Sequence, residues 1–400
     1  MIDSIQPVRY ERLGDICATT SGGTPSRSQP EYFGGSIPWV KSGDLNDGSI
    51  IGVEETISSL GLERSSAKLM PKGTVLIAMY GATVGKLGLL EIEAATNQAV
   101  CGIQTPDTLD RKYLFYLLLA SRPDLVRRSM GGAQPNISQK IIRDLLVPVP
   151  PMPEQLRVVD LLSRAESIVR MRREAEQKAR EIIPALFLDM FGDPATNSMG
   201  WAVRRFGDLV ERLEGGKNVQ AGAIGDSPFR ILKISAVTSG SYDETESKPA
   251  PADFDPPPHY FVRKGDILFS RANTEALVGA TAMVDSTAGK ALLPDKLWRL
   301  ALRPVGGAAP AYMLALLQNR SVRQELSKMA SGTGGSMKNI SQAKLIELKL
   351  PIAPVDLQRA FQGRVSTVRD LLHAAYRTGQ VAEQTFQSLL AGAFSEVRAT

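Results

Sequence analysis

GGAQPNISQKIIRDLLVPVPPMPEQ, at positions 131–155, returns as GGSMKNISQAKLIELKLPIAPVDLQ at positions 334–358. The Asn-Ile-Ser-Gln tetrapeptide, two prolines (Pro148/Pro351 and Pro151/Pro354) and the closing glutamine (Gln155/Gln358) all recur at one interval of 203 residues. A lone tetrapeptide carries little weight, but a shared interval across the whole set marks a duplication. Upstream, RLGDI (12–16) faces RFGDL (205–209) at an interval of 193, and Trp39-Val-Lys41 faces Ile231-Leu-Lys233 at 192. Pro106 faces Pro304 at 198, and Tyr113-Leu114 faces Tyr312-Met313 at 199. An interval that grows in small steps is what a few loop insertions leave behind. The chain reads as one unit of roughly 200 residues written twice.

Each copy has the same internal order. Short β-branched and apolar runs such as Gly73-TVLIAMY-Gly81 and Gly265-DILFS alternate with Gly, Pro, Ser and Asn punctuation, which predicts a compact α+β domain. Each domain has a helix of its own, expected over Lys112–Ser121 and Ala311–Gln318. A long helix then follows in each copy, near Glu154–Phe191 and Asp356–Glu396, entered through proline-rich PVPPMP and PIAP.

The second helix carries an apolar stripe through Phe361, Val365, Val368, Leu372, Ala375, Gly379 and Ala382, spaced four and three like a coiled-coil seam. The same positions in the first copy are Val158, Leu162, Ala165, Val169, Arg172, Glu176 and Ala179, followed by Ile183. Arg172 and Glu176 interrupt the stripe opposite small residues, and Pro184 predicts a kink in the last turns. A helix of 38 residues spans roughly 57 Å, too long to bury its stripe within one small domain. The economical solution packs the two stripes on each other as an antiparallel pair; the alternative lays each helix on its own domain. The expected division is therefore 1–150 and 193–353 for two α+β domains, with long helices over 151–192 and 354–400.

The totals bound the function. Formal charge is +5, and it is uneven: residues 1–150 hold 15 Lys/Arg against 15 Asp/Glu, while 194–353 hold 20 against 15. Such a balance permits contact with a polyanion without requiring it. Two cysteines, Cys17 and Cys101, are too few for a disulfide scaffold and favour a reducing compartment; they face Val210 and Arg299 in the other copy. The opening MIDSIQPVRYERLGD has no apolar h-region, and no run of about 18 apolar residues occurs, so a cytoplasmic, membrane-free protein is expected.

Catalytic signatures are broken wherever they begin. In MYGATVGKL (79–87) only three residues separate Gly81 from Gly85, and Leu87 stands where a phosphate loop needs Ser or Thr. Asp255-Pro-Pro-Pro258 lacks the aromatic residue of an amino-methyltransferase tetrapeptide. Glu347-x-Lys349 is not repeated, since Asp144 and Leu146 take its place in the first copy. The two histidines, His259 and His373, have no ligand spacing, so neither a metal centre nor a Ser-His-Asp triad is expected. The pattern is that of a binder. Paired, non-identical domains on a helical spacer suit a target with two separated, different sites, and DNA half-sites about 34 Å apart are such a target. A duplicated protein-interaction scaffold is the alternative, and a self-contained methyltransferase or nuclease with unfamiliar motifs is a further one.

The order of parts resembles the specificity (S) subunit of type I restriction–modification systems over essentially the whole chain. The residues that carry the resemblance are LGDI, IPWVKSGDL (37–45), KGTVLIAMYGATVGK (72–86), TNQAV (96–100), NISQ with PVPPMPEQ, and FLDMFGDP with Trp201. The resemblance implies two target recognition domains of α+β fold joined by an antiparallel coiled coil in a pseudo-two-fold repeat. It also implies that the chain itself is non-catalytic and holds no cofactor. Double-stranded DNA and two methylating (M) subunits, which carry S-adenosylmethionine, would be its partners, with restriction (R) subunits completing the assembly. The second copy departs from the pattern: Arg230-Ile231 replace Pro-Trp, and Asp295-Lys296 replace Asn97-Gln98.

Base edges and phosphates are read by Arg, Lys, Asn, Gln, hydroxyls and loop amides. The candidates in the first copy are Ser21, Gly22, Gly23, Thr24, Arg27, Lys41, Tyr80, Lys86, Asn97, Gln98 and Gln134. In the second they are Lys217, Asn218, Lys233, Arg271, Asn273, Lys296 and Lys338. Residues common to both copies, Asn136, Ser138 and Gln155 with Asn339, Ser341 and Gln358, are expected to form a framework hinge, with the two asparagines as helix N-caps.

Overall fold

The β-branched run between Gly73 and Gly81 folds as the strand Val75–Ala78, fully buried as its apolar sequence requires. It lies inside a five-stranded sheet ordered Ala18–Ser21, Val100–Gln104, Val75–Ala78, Leu87–Leu90 and Gly48–Ile50. In the second copy the strand Ile267–Ser270 takes the same place, in a sheet ordered Val210–Gly215, Leu297–Leu302, Ile267–Ser270 and Thr281–Met283. The other sheets repeat as well. Arg9–Arg12 pairs antiparallel with Leu146–Val149, as Ala202–Arg205 does with Lys349–Ile352. Phe33–Val40 pairs parallel with Ala94–Thr96, as Arg230–Leu232 does with Ala291–Leu292. The fold is mixed α/β, and the duplicated sequence is a duplicated strand order.

The structure is a computed structural model that describes residues 9–128, 136–223, 227–332 and 337–395. Its contacts divide the chain into one unit of residues 1–173 with 377–400 and a second of residues 174–376. Each unit thus draws on both long helices. In the first, Leu162 and Val169 join Phe386, Leu390 and Phe394 in one core with the domain helix Arg111–Arg128. In the second, Phe187 and Phe191 meet Phe361 and Val365 around Tyr312 of the helix Pro310–Gln318. Ring centroids there lie 4.9 Å (Phe191–Tyr312) and 5.3 Å (Phe191–Phe361) apart, edge to face.

Several expectations need correction. The first long helix is two helices, Met152–Arg180 and Ile182–Phe191. Pro184 has no N–H for the Arg180 carbonyl and its ring crowds that group, so the helix stops short and restarts. The domain helix runs to Arg128, past Ser121, with Pro123 inside it, whereas the second copy breaks at Asn319 into Pro310–Gln318 and Arg320–Met329. Asn136 and Asn339 are not N-caps. Asn136 bridges Tyr80 and Asn339 pairs with Ala272, so both are extended. The caps are Ser138 and Ser341, whose hydroxyls accept from Ile141 N and Lys344 N at 3.3 Å. Cys101 lies opposite Ile77 as Trp298 lies opposite Phe269, so its structural counterpart is Trp298, one residue from Arg299. Burial pushes the Cys17 and Cys101 thiols up to about 12. No helix among the described residues is long and apolar enough to cross a membrane.

Candidate nucleic-acid interface

In the first unit the segment after the strand Ala18–Ser21 is held by main chain. Gly22 N donates to Val100 O at 3.1 Å and Gly23 N to Thr96 O at 2.9 Å. A Cβ on Gly22 would collide with Thr96, and one on Gly23 with the Ser66–Ala67 main chain, so only glycine fits. This closeness brings predicted residues together. Thr24 Oγ1 donates to Gln98 Oε1, Trp39 Nε1 donates to Gly23 O, and Asn97 N donates to Val40 O. The Arg27 guanidinium lies 4.5 Å from the Phe33 ring centre and 5.3 Å from that of Trp39. Glu55 takes both neighbouring cations, Arg27 at 2.5 Å and Lys41 at 2.8 Å. Arg27 and then Lys41 hold the Glu55 carboxyl below its usual range, and the Glu55 hydrogen bond raises Lys41. Seven of the candidates, Gly22, Gly23, Thr24, Arg27, Lys41, Asn97 and Gln98, therefore share one face.

Tyr80 and Lys86 belong elsewhere, at either end of the turn over residues 81–85. Lys86 Nζ bonds Asp47 at 3.0 Å, and Arg122 forms a second ion pair with the same carboxylate. Burial works against ionisation of Asp47, but the Leu87 N–H, Lys86 and Arg122 outweigh it and hold the carboxyl below its usual range. Arg122 Nε also donates to Gly85 O at 2.8 Å, so this cluster pins the turn. Ser21 Oγ is bonded to Gln139, and Gln134 lies outside the described residues.

The second unit uses the same scaffold with different side chains. Gly216 N donates to Pro294 O at 3.0 Å, as Gly23 does to Thr96. Lys233 faces Glu246 at 3.8 Å, as Lys41 faces Glu55. Arg271 Nε donates to Asp295 O at 2.8 Å, and its guanidinium lies 5.6 Å from the Trp298 ring centre. Asn273 pairs with Lys338, is 4% exposed and keeps a buried Nδ2 without a hydrogen-bond partner. Lys217 and Asn218 are exposed after the strand Val210–Gly215, and Lys296 is half-buried beside Asp295.

The duplicated glutamines are structural. Gln155 is fully buried; its Oε1 accepts from Asp110 N at 2.8 Å while Nε2 donates to Thr108 O at 2.9 Å and Pro150 O at 2.8 Å. Gln358 accepts from Ala309 N at 2.8 Å and donates to Ala353 O at 2.7 Å. Tyr113 and Tyr312 hydroxyls donate to Pro148 O and Pro351 O at 3.3 and 3.2 Å. The repeat therefore ties the start of each domain helix to the strand that leads into each long helix.

The family model described as the type I restriction modification DNA specificity domain matches residues 7–179. Over those residues the chain is similar to the type I DNA specificity family. The type I restriction enzyme MjaIX specificity subunit of Methanocaldococcus jannaschii is 26% identical over 52% of this chain and 52% of its own length. The MjaVIII specificity subunit of the same organism is 21% identical over 95% of this chain and 90% of its own. This chain spans about half the length of the first such relatives, 52% for MjaIX. A solved chain from work on complex assembly and conformational transition of the type I R-M system shares the fold, with a TM-score of 0.59, 20% identity and 98% of both chains covered.

Several residues that shape the first unit around these candidates went unnoticed in the sequence: Glu55, Phe33, Asp47 and Arg122. Lys41/Lys233 with Glu55/Glu246 could have been found, because the two pairs stand at intervals of 192 and 191. Asp47 could not, since its partners lie 39 and 75 residues away. Of the residues in the apolar stripe, Leu162, Val169, Phe361 and Val365 are buried, and Val158, Ala165, Ala179, Ile183, Val368, Leu372, Ala375, Gly379 and Ala382 are half-buried. Arg172, which interrupts the stripe, is exposed.

Proposed function

We propose that this chain is the DNA-recognising, non-catalytic subunit of a type I restriction–modification complex. Its two specificity domains each read one half of a split, asymmetric site. The two long helices pair antiparallel as a coiled coil. Two methylating subunits that carry S-adenosylmethionine dock on the chain, and restriction subunits complete the assembly. One observation carries the reading: two copies share strand order and glutamine clamp, yet present different side chains on the equivalent glycine-lined face. Identical scaffolds with different faces suit two different half-sites. Within the first unit the end of the second long helix (Phe386, Leu390) packs beside the start of the first (Leu162), which supports the antiparallel pairing.

The test is co-expression of the chain with its methylating partner, followed by mapping of modified adenines in the host genome. One bipartite, asymmetric motif is expected. No modification, or a single continuous palindrome, would refute the proposal.

A further inference from the structure

Two halves that differ in sequence must be read by residues the two domains do not share, because shared contacts can position but cannot discriminate. The structure separates the two classes. Lys41–Glu55 and Lys233–Glu246 occur in both units at matching positions and so belong to the common scaffold. Each unit also carries an arginine mounted on an aromatic ring, and these two mounts are not equivalent. Arg27 lies over Phe33 and Trp39 with its Nη1 on Glu55, and its side chain is 60% exposed. Ile231 replaces Trp39 in the second copy, so the second unit lacks the Trp39 ring of that platform. Arg271 lies over Trp298 with Nε on the Asp295 carbonyl. The main chain of Met79 occupies the place of Arg271: Ile137 N donates to Met79 O at 2.7 Å, and Ile340 N to Arg271 O at 2.8 Å. Cys101 occupies the place of Trp298, so the first unit has neither cation nor ring there.

We infer that Arg27 and Arg271 are specificity-determining residues, each reading one guanine edge, Arg27 in the first half-site and Arg271 in the second; this rests on the DNA-binding function proposed above. A guanidinium is a planar fork that matches guanine O6 and N7 with two parallel hydrogen bonds. A flexible arginine loses rotamer freedom on contact, and stacking on a ring with one edge already bonded removes part of that loss beforehand. Phosphate contacts need neither the plane nor the mount.

The test uses the full chain co-expressed with its methylating partner, as wild type and as R27K, R27A, R271K and R271A. The modified motif is mapped for each, and binding of each complex to single-base variants of the site is titrated at two salt concentrations. Each arginine variant should relax one G·C position in one half-site, by about ten- to a hundredfold in relative affinity, and leave the other half unchanged. R27K and R271K keep the charge and stem, so they report the lost fork while other contacts persist. A motif left unchanged by R27K and R271K overturns the inference. So does uniform weakening on all sequences with a shallower salt dependence, the signature of a phosphate contact. A wild-type complex with no split site would overturn this reading together with the one beneath it.

Discussion

Replacing Gln155 by Ala tests whether the duplicated motif is framework. The side chain is fully buried, with one hydrogen bond accepted from Asp110 N and two donated, to Thr108 O and Pro150 O. Three such bonds contribute about 0.5–1.5 kcal/mol each in net terms, and an orphaned buried N–H costs about 1–3 kcal/mol more. The Thr108 and Pro150 carbonyls keep a second lone pair, so the total cost lies toward the lower side of that range, about 3 kcal/mol. Total stability of a domain is about 5–15 kcal/mol, which makes this a large fraction. Hydrogen exchange read by mass spectrometry should show roughly a hundredfold faster exchange of the slowest amides in the helix Arg111–Arg128, with the helix Pro310–Gln318 unchanged. Gln358→Ala should do the reverse with a somewhat smaller effect, since it removes two bonds. Gln155→Glu should be at least as damaging near neutral pH, because a carboxylate would face two carbonyl oxygens. A cost below about 1 kcal/mol for Gln155→Ala, with exchange unaltered, would refute the clamp.

Asp47→Asn keeps the shape and tolerates the left-handed backbone (φ 64°) but removes the charge that binds Lys86 and Arg122. The folded carboxyl is held below its unfolded value of about 4, so its stabilisation is present above that value and is lost as pH falls through the lower, folded one. The wild-type advantage in thermal melting should therefore be full at pH 7 and shrink on acidification below about pH 4. Ser138→Ala and Ser341→Ala each remove an N-cap and should cost about 1 kcal/mol in urea denaturation, more than truncation of exposed Asn136. Phe386→Ala empties a site 6% exposed beside Tyr116 and should destabilise the first unit by about 3–5 kcal/mol, read as faster exchange in the helix Arg111–Arg128.

The repeat made much of this legible from sequence. A fixed interval of 203 residues identified the junction, and the equivalent hydrogen bonds of Gln155 and Gln358 explain why it is retained in both copies. The strands were visible as apolar runs, and the four–three stripe on the long helices falls on positions less exposed than most of their neighbours. Sequence reasoning failed where local chemistry had two equivalent outcomes. Asn136 and Ser138 are both good N-caps by residue type, and only the bridge to Tyr80 assigns Asn136 to extended backbone. Pro184 announced a distortion but not whether the helix would bend or restart. Ion pairs such as Arg27–Glu55 and Lys86–Asp47 join residues 28 and 39 positions apart, which no periodicity records.

Those ion pairs also decide which candidate cations can meet a polyanion. Lys41 and Arg27 are 41% and 60% exposed, and pairs of that kind contribute about 0–1 kcal/mol. Exchanging Glu55 for a phosphate or a base edge therefore costs little, and the shared carboxylate keeps both cations oriented until then. Arg122 and Asp47 are only 26% and 22% exposed, and Arg122 also holds the Gly85 carbonyl. Withdrawing Arg122 would release the turn that carries Tyr80, so its charge is structural. Lys86 shares that carboxylate but is 45% exposed, and Arg122 alone would keep Asp47 paired if Lys86 turned outward. Among the candidate cations of the first domain, Arg27, Lys41 and Lys86 are thus the ones available to a polyanion. Of these, Arg27 alone combines a planar fork with an aromatic mount. Lys41, duplicated as Lys233 with its own glutamate, is suited to a backbone contact that both halves of a duplex offer alike.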